Sequence, residues 1–222
     1  MRAWPVPETG PQAGDSRSWR IAPPAVLELL TKPSVNIVCW QRSIPGDPED
    51  PLVAWAARAR ATFHAVVSAG SYNLSLAVDG IEEPVRSWLM TDIAVLLARF
   101  SCLVAASRFR FSFGAVHDNQ CRKFHVDHHR FRLVTTYAGP GTEWVPNEAV
   151  RWEALNHPAD CPCDANLEIV RDAAAVRRAT AGDVLIMKGV GHAVPGAVHR
   201  SPPIEGTRRS RVVLIASTVT EA

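Results

Sequence analysis

From Arg108 onward the chain is cut into short β-branched and aromatic runs, and this pattern limits its architecture more than any other feature of the sequence. Residues 108–116, 130–137, 168–170, 183–187 and 209–217 read as strands, separated by clusters such as Gly139-Pro140-Gly141 and the Asn, Pro and Asp residues of 156–162. Many short strands in one block, with no long helical pattern between them, predict antiparallel sheets packed as a sandwich or barrel. A parallel sheet would need a helix at each crossover, and this half of the chain offers none long enough.

The first half reads differently. Residues 1–24 are polar and rich in Pro and Gly, which predicts a loose N-terminal arm without the apolar stretch of a secretory signal. Residues 25–31 predict a short helix and 35–40 a strand. Pro51 suits a helix start, and the spacing predicts a helix over 51–68 closed by Gly70. Alternation of Tyr72, Leu74, Leu76 and Val78 predicts a strand. Pro84 opens a second long helix whose Val85, Leu89, Ile93, Leu96, Leu97, Phe100 and Val104 fall on one face, with Arg86, Asp92 and Arg99 expected to face out. Asp92 and Arg99 interrupt the apolar run 88–106, so it is expected to be a packed helix rather than a membrane span. The expectation is one domain over 25–222, with a helical elaboration over 25–107, a β core over 108–217 and the two long helices packed outside.

A formal net charge of +2 gives no field that would favour nucleic acid or a membrane surface. Five cysteines, an odd number in a chain too large to need staples, point to a reducing, cytoplasmic setting.

Four of the eight histidines fall between 117 and 129. Within that stretch, Phe124-His125-Val126-Asp127 places an imidazole and a carboxylate at i and i+2, where an extended backbone turns both to one side. His199, just before a turn and the last β-branched run, is the third candidate. Two imidazoles and a carboxylate form the facial set that holds non-haem Fe(II) and leaves coordination positions open. Arg209 and Arg211 follow His199 across a turn, and a guanidinium returning there could pair with the distal carboxylate of a metal-chelating oxo acid. Lys188 is a second candidate cation for that role. Tyr137 and Arg132, on the run after the His-x-Asp pair, are candidates to line the same cavity.

With its His-x-Asp pair, the Gly182-Asp183 strand start, His199 and the late arginine, the chain resembles the 2-oxoglutarate- and Fe(II)-dependent dioxygenase superfamily over roughly residues 120–217. The resemblance implies an α+β protein with a double-stranded β-helix, or jelly-roll, barrel. It also implies His125, Asp127 and His199 as metal ligands and Arg211 or Arg209 as the oxo-acid anchor. The strings Phe-His-Val-Asp, Thr-Tyr-x-Gly-Pro-Gly-Thr-Glu-Trp and His-Arg-Ser-Pro-Pro more closely resemble a bacterial domain-of-unknown-function family, number 1826. Its members occur near zinc-responsive genes, which implies a link to metal homeostasis.

Two metal-dependent functions therefore stand side by side, with a third possibility of a degenerate barrel that holds no metal and serves as an interaction module. One is an Fe(II)/2-oxoglutarate oxygenase acting on a small molecule or a protein side chain. The other is a non-catalytic protein that binds zinc or another metal. Cys121 and the Cys161-Pro162-Cys163 pair favour the second, although one CxC without a second pair falls short of a structural zinc site. His128 and His129 are alternative ligands if the register is shifted by one. His64, His117 and His192 are read as packing or surface residues. Gly139 to Trp144 is read either as a tight turn with an anchoring tryptophan or as a pocket lip in which Glu143 and Trp144 face substrate, the lip being preferred because glycines allow close backbone approach. No nucleophile elbow, P-loop or dinucleotide fingerprint is present. Whether the N-terminal helices act as a lid or as a homodimer face is left open.

Overall fold

The computed structural model describes residues 19–22, 24–44, 48–59, 61–71, 73–118 and 120–219. The expected N-terminal arm falls mostly outside the described residues. Its end does not behave as an arm, because Trp19–Ala22 (β1) pairs parallel with Ile37–Trp40 (β2). A 3-10 helix over Pro24–Thr31 joins these two strands. There follow α1 (Glu49–Ala56), β3 (Phe63–Ser68), α2 (Val85–Val104), β4 (Arg108–Val116), β5 (Phe131–Ala138), β6 (Glu143–Val145), α3 (Trp152–Asn156), α4 (Pro162–Ile169), β7 (Arg177–Arg178), β8 (Val184–Lys188), β9 (Val198–Arg200) and β10 (Arg211–Thr218).

The described strands form a seven-stranded sheet in the order β1-β2-β8-β5-β10-β4-β3 and a three-stranded sheet in the order β7-β6-β9. Apart from the β1–β2 pair, every ladder in both sheets is antiparallel. The fold is thus a mixed α and β structure on antiparallel sheets, with β1 and β3 left as open edges of the larger one.

Side-chain parity divides the large sheet into two faces. Val212, Leu214 and Ala216 of β10 join Leu133 and Tyr137 of β5 and Val184 and Ile186 of β8 in the larger core, beneath α1 and α2. The intervening Val213, Val134, Leu185 and Met187 pack the other way, against Trp144, Ala179 and Ala197 of the small-sheet region. Arg132, Arg211 and Ser217 share parity with this second set, so the strands themselves turn these polar side chains into the space between the sheets.

α2 is long and apolar enough to cross a membrane by length and composition, yet it buries Leu89, Ile93, Leu96, Leu97 and Phe100 in the larger core. Asp92 does not face out. Arg42 grips its carboxylate with both terminal nitrogens, and the buried Tyr137 hydroxyl donates to its Oδ2 at 2.7 Å. This network pins the helix to the sheet.

The first-half expectations need further correction. Helix α1 stops at Ala56, and residues 63–68 form an edge strand paired with β4 instead of continuing the helix. Only one of the two expected long helices therefore exists. The alternation over 73–78 belongs to a turn segment in which Leu74 and Val78 are buried and Leu76 is exposed. Residues 168–170 finish α4, leaving a single bridge between Val150 and Val170.

Candidate metal centre

The His125-Val126-Asp127 segment is not part of a long ladder. It is held locally by a reciprocal bridge, in which His125 N donates to His199 O and His199 N to His125 O, both at 3.0 Å. From one side Asn166 of α4 accepts from Phe124 N at 2.9 Å and donates to Arg122 O at 2.9 Å. From the other, Val190 N donates to Asp127 O and Gly189 N to Arg130 O, both at 3.0 Å. Gly189 is required by this approach, because a Cβ there would overlap the His129 carbonyl oxygen.

The two imidazoles lie 4.5 Å apart between ring centroids. His125 Nδ1 sits 3.0 Å from Lys123 O, and His199 Nδ1 sits 3.0 Å from Ala197 O. A carbonyl oxygen can only accept, so each Nδ1 carries the proton and each Nε2 keeps a lone pair. Both lone-pair nitrogens face Asp127, with His199 Nε2 3.4 Å from Oδ2 and His125 Nε2 3.8 Å from Oδ1. One donor atom from each residue lies within 4.8 Å of the other two, and no other such group of three His, Cys, Asp or Glu occurs among the described residues.

The Asp127 carboxylate is buried, and its oxygens are treated unequally. Oδ1 is paired with Arg132 Nη1 at 2.7 Å, while Oδ2 has no hydrogen-bond partner. An unpartnered buried carboxylate oxygen is costly unless a cation meets it. Two free Nε2 lone pairs beside that oxygen make a donor set suited to a divalent metal. His199 is also held neutral: burial pushes its pKa down to about 4, only partly opposed by Asp127.

A small cavity extends from this cluster, lined by His125, His199, Arg132, Thr142, Arg211 and the apolar Val134, Val213 and Ile215. Arg211, part of this lining, is almost fully buried. Its Nη2 donates to Thr136 Oγ1 at 3.2 Å and Thr142 Oγ1 at 3.3 Å, and its Nε has no partner. Burial lowers its pKa to about 10, and nearby Glu143 only partly offsets this. Glu143 is itself occupied, accepting from Arg178 Nε at 2.9 Å and Arg200 Nε at 2.8 Å. Arg211 is therefore a buried cation held by two hydroxyls, with no carboxylate paired to it among the described residues.

Of the other predicted site residues, Arg209, Lys188 and Tyr137 do not line this cavity. Arg209 lies exposed in the turn before β10. Lys188 has the opposite parity to Leu185 and Met187 and donates to Lys32 O at 2.8 Å. Tyr137 lies in the core on the far face of the sheet, against Asp92. Arg132 does line the cavity, but it is committed to Asp127 and, through Nε, to Ser217 Oγ at 3.0 Å. In the Gly139–Trp144 lip, Thr142 reaches the cavity, whereas Glu143 is buried in ion pairs and Trp144 packs in the core. The roles of Thr136 and Ser217 were missed in the sequence, where their only signal was a shared parity with Arg132 and Arg211 on adjacent strands; Thr142, just before β6, carried no such signal.

His128 is exposed, as is His64, which lies on β3 rather than on a helix. Cys161 and Cys163 are exposed at the start of α4 and border a different cavity, with Arg122 and Asn166. Cys121 lines the same cavity as the cluster.

Similar solved structures include a prolyl-4-hydroxylase from Pseudomonas putida, at 12% identity and a TM-score of 0.43, covering 89% of this chain and 98% of that one. A full-length Neurospora crassa protein in complex with alpha-KG is 10% identical with a TM-score of 0.44, covering 87% of this chain and 76% of that one. A bsmA homologue from Methylobium petroleophilum is 12% identical with a TM-score of 0.44, covering 89% of this chain and 95% of that one. No curated protein matches the chain. The model of one family, described as "Protein of unknown function (DUF1826)", matches residues 22–216, and the chain belongs to that family.

Proposed function

We propose that this chain is an Fe(II)- and 2-oxoglutarate-dependent oxygenase on a single jelly-roll domain, with His125, Asp127 and His199 as the metal ligands. One observation carries the reading. One cavity is lined by both imidazoles, which converge with an unpartnered Asp127 oxygen, and by a buried guanidinium that has no ion pair to a carboxylate among the described residues. A cation site and an anion site that share one cavity are what a metal-chelating dicarboxylate needs. The two facing antiparallel sheets with the cluster between their strands support the jelly-roll reading.

Bound at the cluster, Fe(II) would supply oxygen activation coupled to oxidative decarboxylation of the oxo acid. The chain's own residues have distinct tasks. Lys123 O and Ala197 O hold the imidazoles in the ligating tautomer. Arg211 takes the distal carboxylate, with Thr136 and Thr142 fixing its fork. Val134, Val213 and Ile215 keep the middle of the slot dry. The substrate would be a small molecule or a protein side chain. The unpaired cysteines suit a reducing, cytoplasmic compartment.

A second reading, zinc binding without catalysis, draws on Cys121, whose soft sulfur in the same cavity favours zinc or copper over iron. One experiment separates the two. Metal-free protein is titrated anaerobically with Fe(II), then with 2-oxoglutarate, and the visible charge-transfer absorption of a chelated oxo acid is followed. The oxygenase reading expects one equivalent of Fe(II), lost in Asp127→Ala and His199→Ala, and absorption that saturates with 2-oxoglutarate. Metal binding without that absorption would favour the zinc reading.

A further inference from the structure

We infer that Arg132 is a positioning residue for the metal centre: it holds Asp127 so that a single oxygen, Oδ2, is offered to the cation. The inference rests on the proposed ligand set and adds a residue that is not itself a metal ligand.

Arg132 belongs to β5, and its register partner across the ladder is Ser217 of β10. Its guanidinium forms an ion pair through Nη1 with Asp127 Oδ1 at 2.7 Å and donates through Nε to Ser217 Oγ at 3.0 Å. Tethered at Nε, the planar group keeps its Nη1 charge beside Oδ1 of the carboxylate. That occupies Oδ1 and turns Oδ2, which has no partner, towards His199 Nε2 at 3.4 Å. Oδ1 lies 3.8 Å from His125 Nε2, so without the Arg132 charge beside it nothing would favour one-oxygen over two-oxygen ligation.

The pair also keeps the metal-free site in shape. Asp127 is only 7% exposed, and a buried carboxylate with no cation beside it would be expelled or would draw in another partner. Arg132 balances that charge before any metal arrives, so the two imidazoles and Oδ2 stand ready rather than being gathered by the ion. The same strand carries Arg211 at its start and Ser217, the anchor of Arg132, near its end. Opposing this role is the repulsion between the guanidinium and a divalent ion, and the inference requires that positioning outweigh it.

The test compares Co(II) affinity and the visible Co(II) spectrum in wild type, Arg132→Gln, Arg132→Lys and Ser217→Ala, with thermal melts of each metal-free protein. Arg132→Gln should bind Co(II) about 10- to 100-fold more weakly with an altered ligand-field spectrum. Arg132→Lys, which keeps a cation for Oδ1 but loses the fork, should recover part of the affinity, and Ser217→Ala should lie between wild type and Arg132→Gln. If Arg132→Gln does not fold, the other two variants carry the comparison. Unchanged affinity and spectrum, or tighter binding, in the folded variants would overturn the inference. A wild type that binds no Co(II) would instead overturn the ligand set on which it rests.

Discussion

Acid should destabilise the metal-free protein through His199, in a way that a single substitution removes. His199 has a pKa of about 4 in the fold against an ordinary 6.5, chiefly because burial disfavours its charged form. A depressed pKa contributes stability that is present above the unfolded value and lost as pH falls through the folded one. The window therefore runs from 6.5 down to about 4. At about 1.4 kcal/mol per unit, the loss across it is about 3 kcal/mol, a substantial part of the stability of an ordinary domain. Carboxylates titrate in the same range, so the contribution must be isolated by difference. Denaturant unfolding of metal-free wild type and His199→Gln, each followed between about pH 7.5 and about pH 4, gives two slopes. The wild type should lose about 3 kcal/mol more than the variant over that span, whatever their absolute stabilities. Parallel slopes would refute the reasoning, because they would mean that His199 takes up its proton at the ordinary pH despite its burial.

Other changes should separate the scaffold from the site. Gly189→Ala should push the 125–130 segment away from β8 and weaken metal binding roughly tenfold or more, checked by metal titration on protein whose far-ultraviolet circular dichroism is unchanged. Asp92→Ala should leave the Arg42 guanidinium buried without its carboxylate and cost about 3–5 kcal/mol in denaturant unfolding. Metal affinity should stay the same in that variant, since the network lies on the opposite face of the sheet.

Much of this was legible in the sequence where one physical rule governed. The strands of 108–217 are short, β-branched and punctuated, and most form as read. The His125 and Asp127 side chains converge with His199 because an i, i+2 pair points one way even when a single bridge replaces a ladder. Parity also separates Arg211 and Arg132 from Tyr137 and Lys188, and reading it strictly from the strand bounds would have removed both of the latter from the site. The failures lie where tertiary pairing overrides local preference. Residues 63–68 follow an alanine-rich stretch that favours helix, yet they become an edge strand because β4 offers a free ladder. Leu74, Leu76 and Val78 alternate as a strand would, but no described neighbour pairs with them, and they form a turn. Asp92 looked like a solvent-facing charge because its partners, Arg42 and Tyr137, are far away in sequence.

The most direct test of the account is 2-oxoglutarate affinity in the Fe(II)-loaded protein under anaerobic conditions, measured for wild type and Arg211→Met. On the proposed reading the buried guanidinium would make one charge-assisted contact that the variant cannot replace, so 2-oxoglutarate binding should weaken by about 2–5 kcal/mol while Fe(II) affinity stays nearly constant. Equal 2-oxoglutarate affinity in the two proteins, or no saturable binding in the wild type, would contradict the assignment of this cavity to an oxo acid.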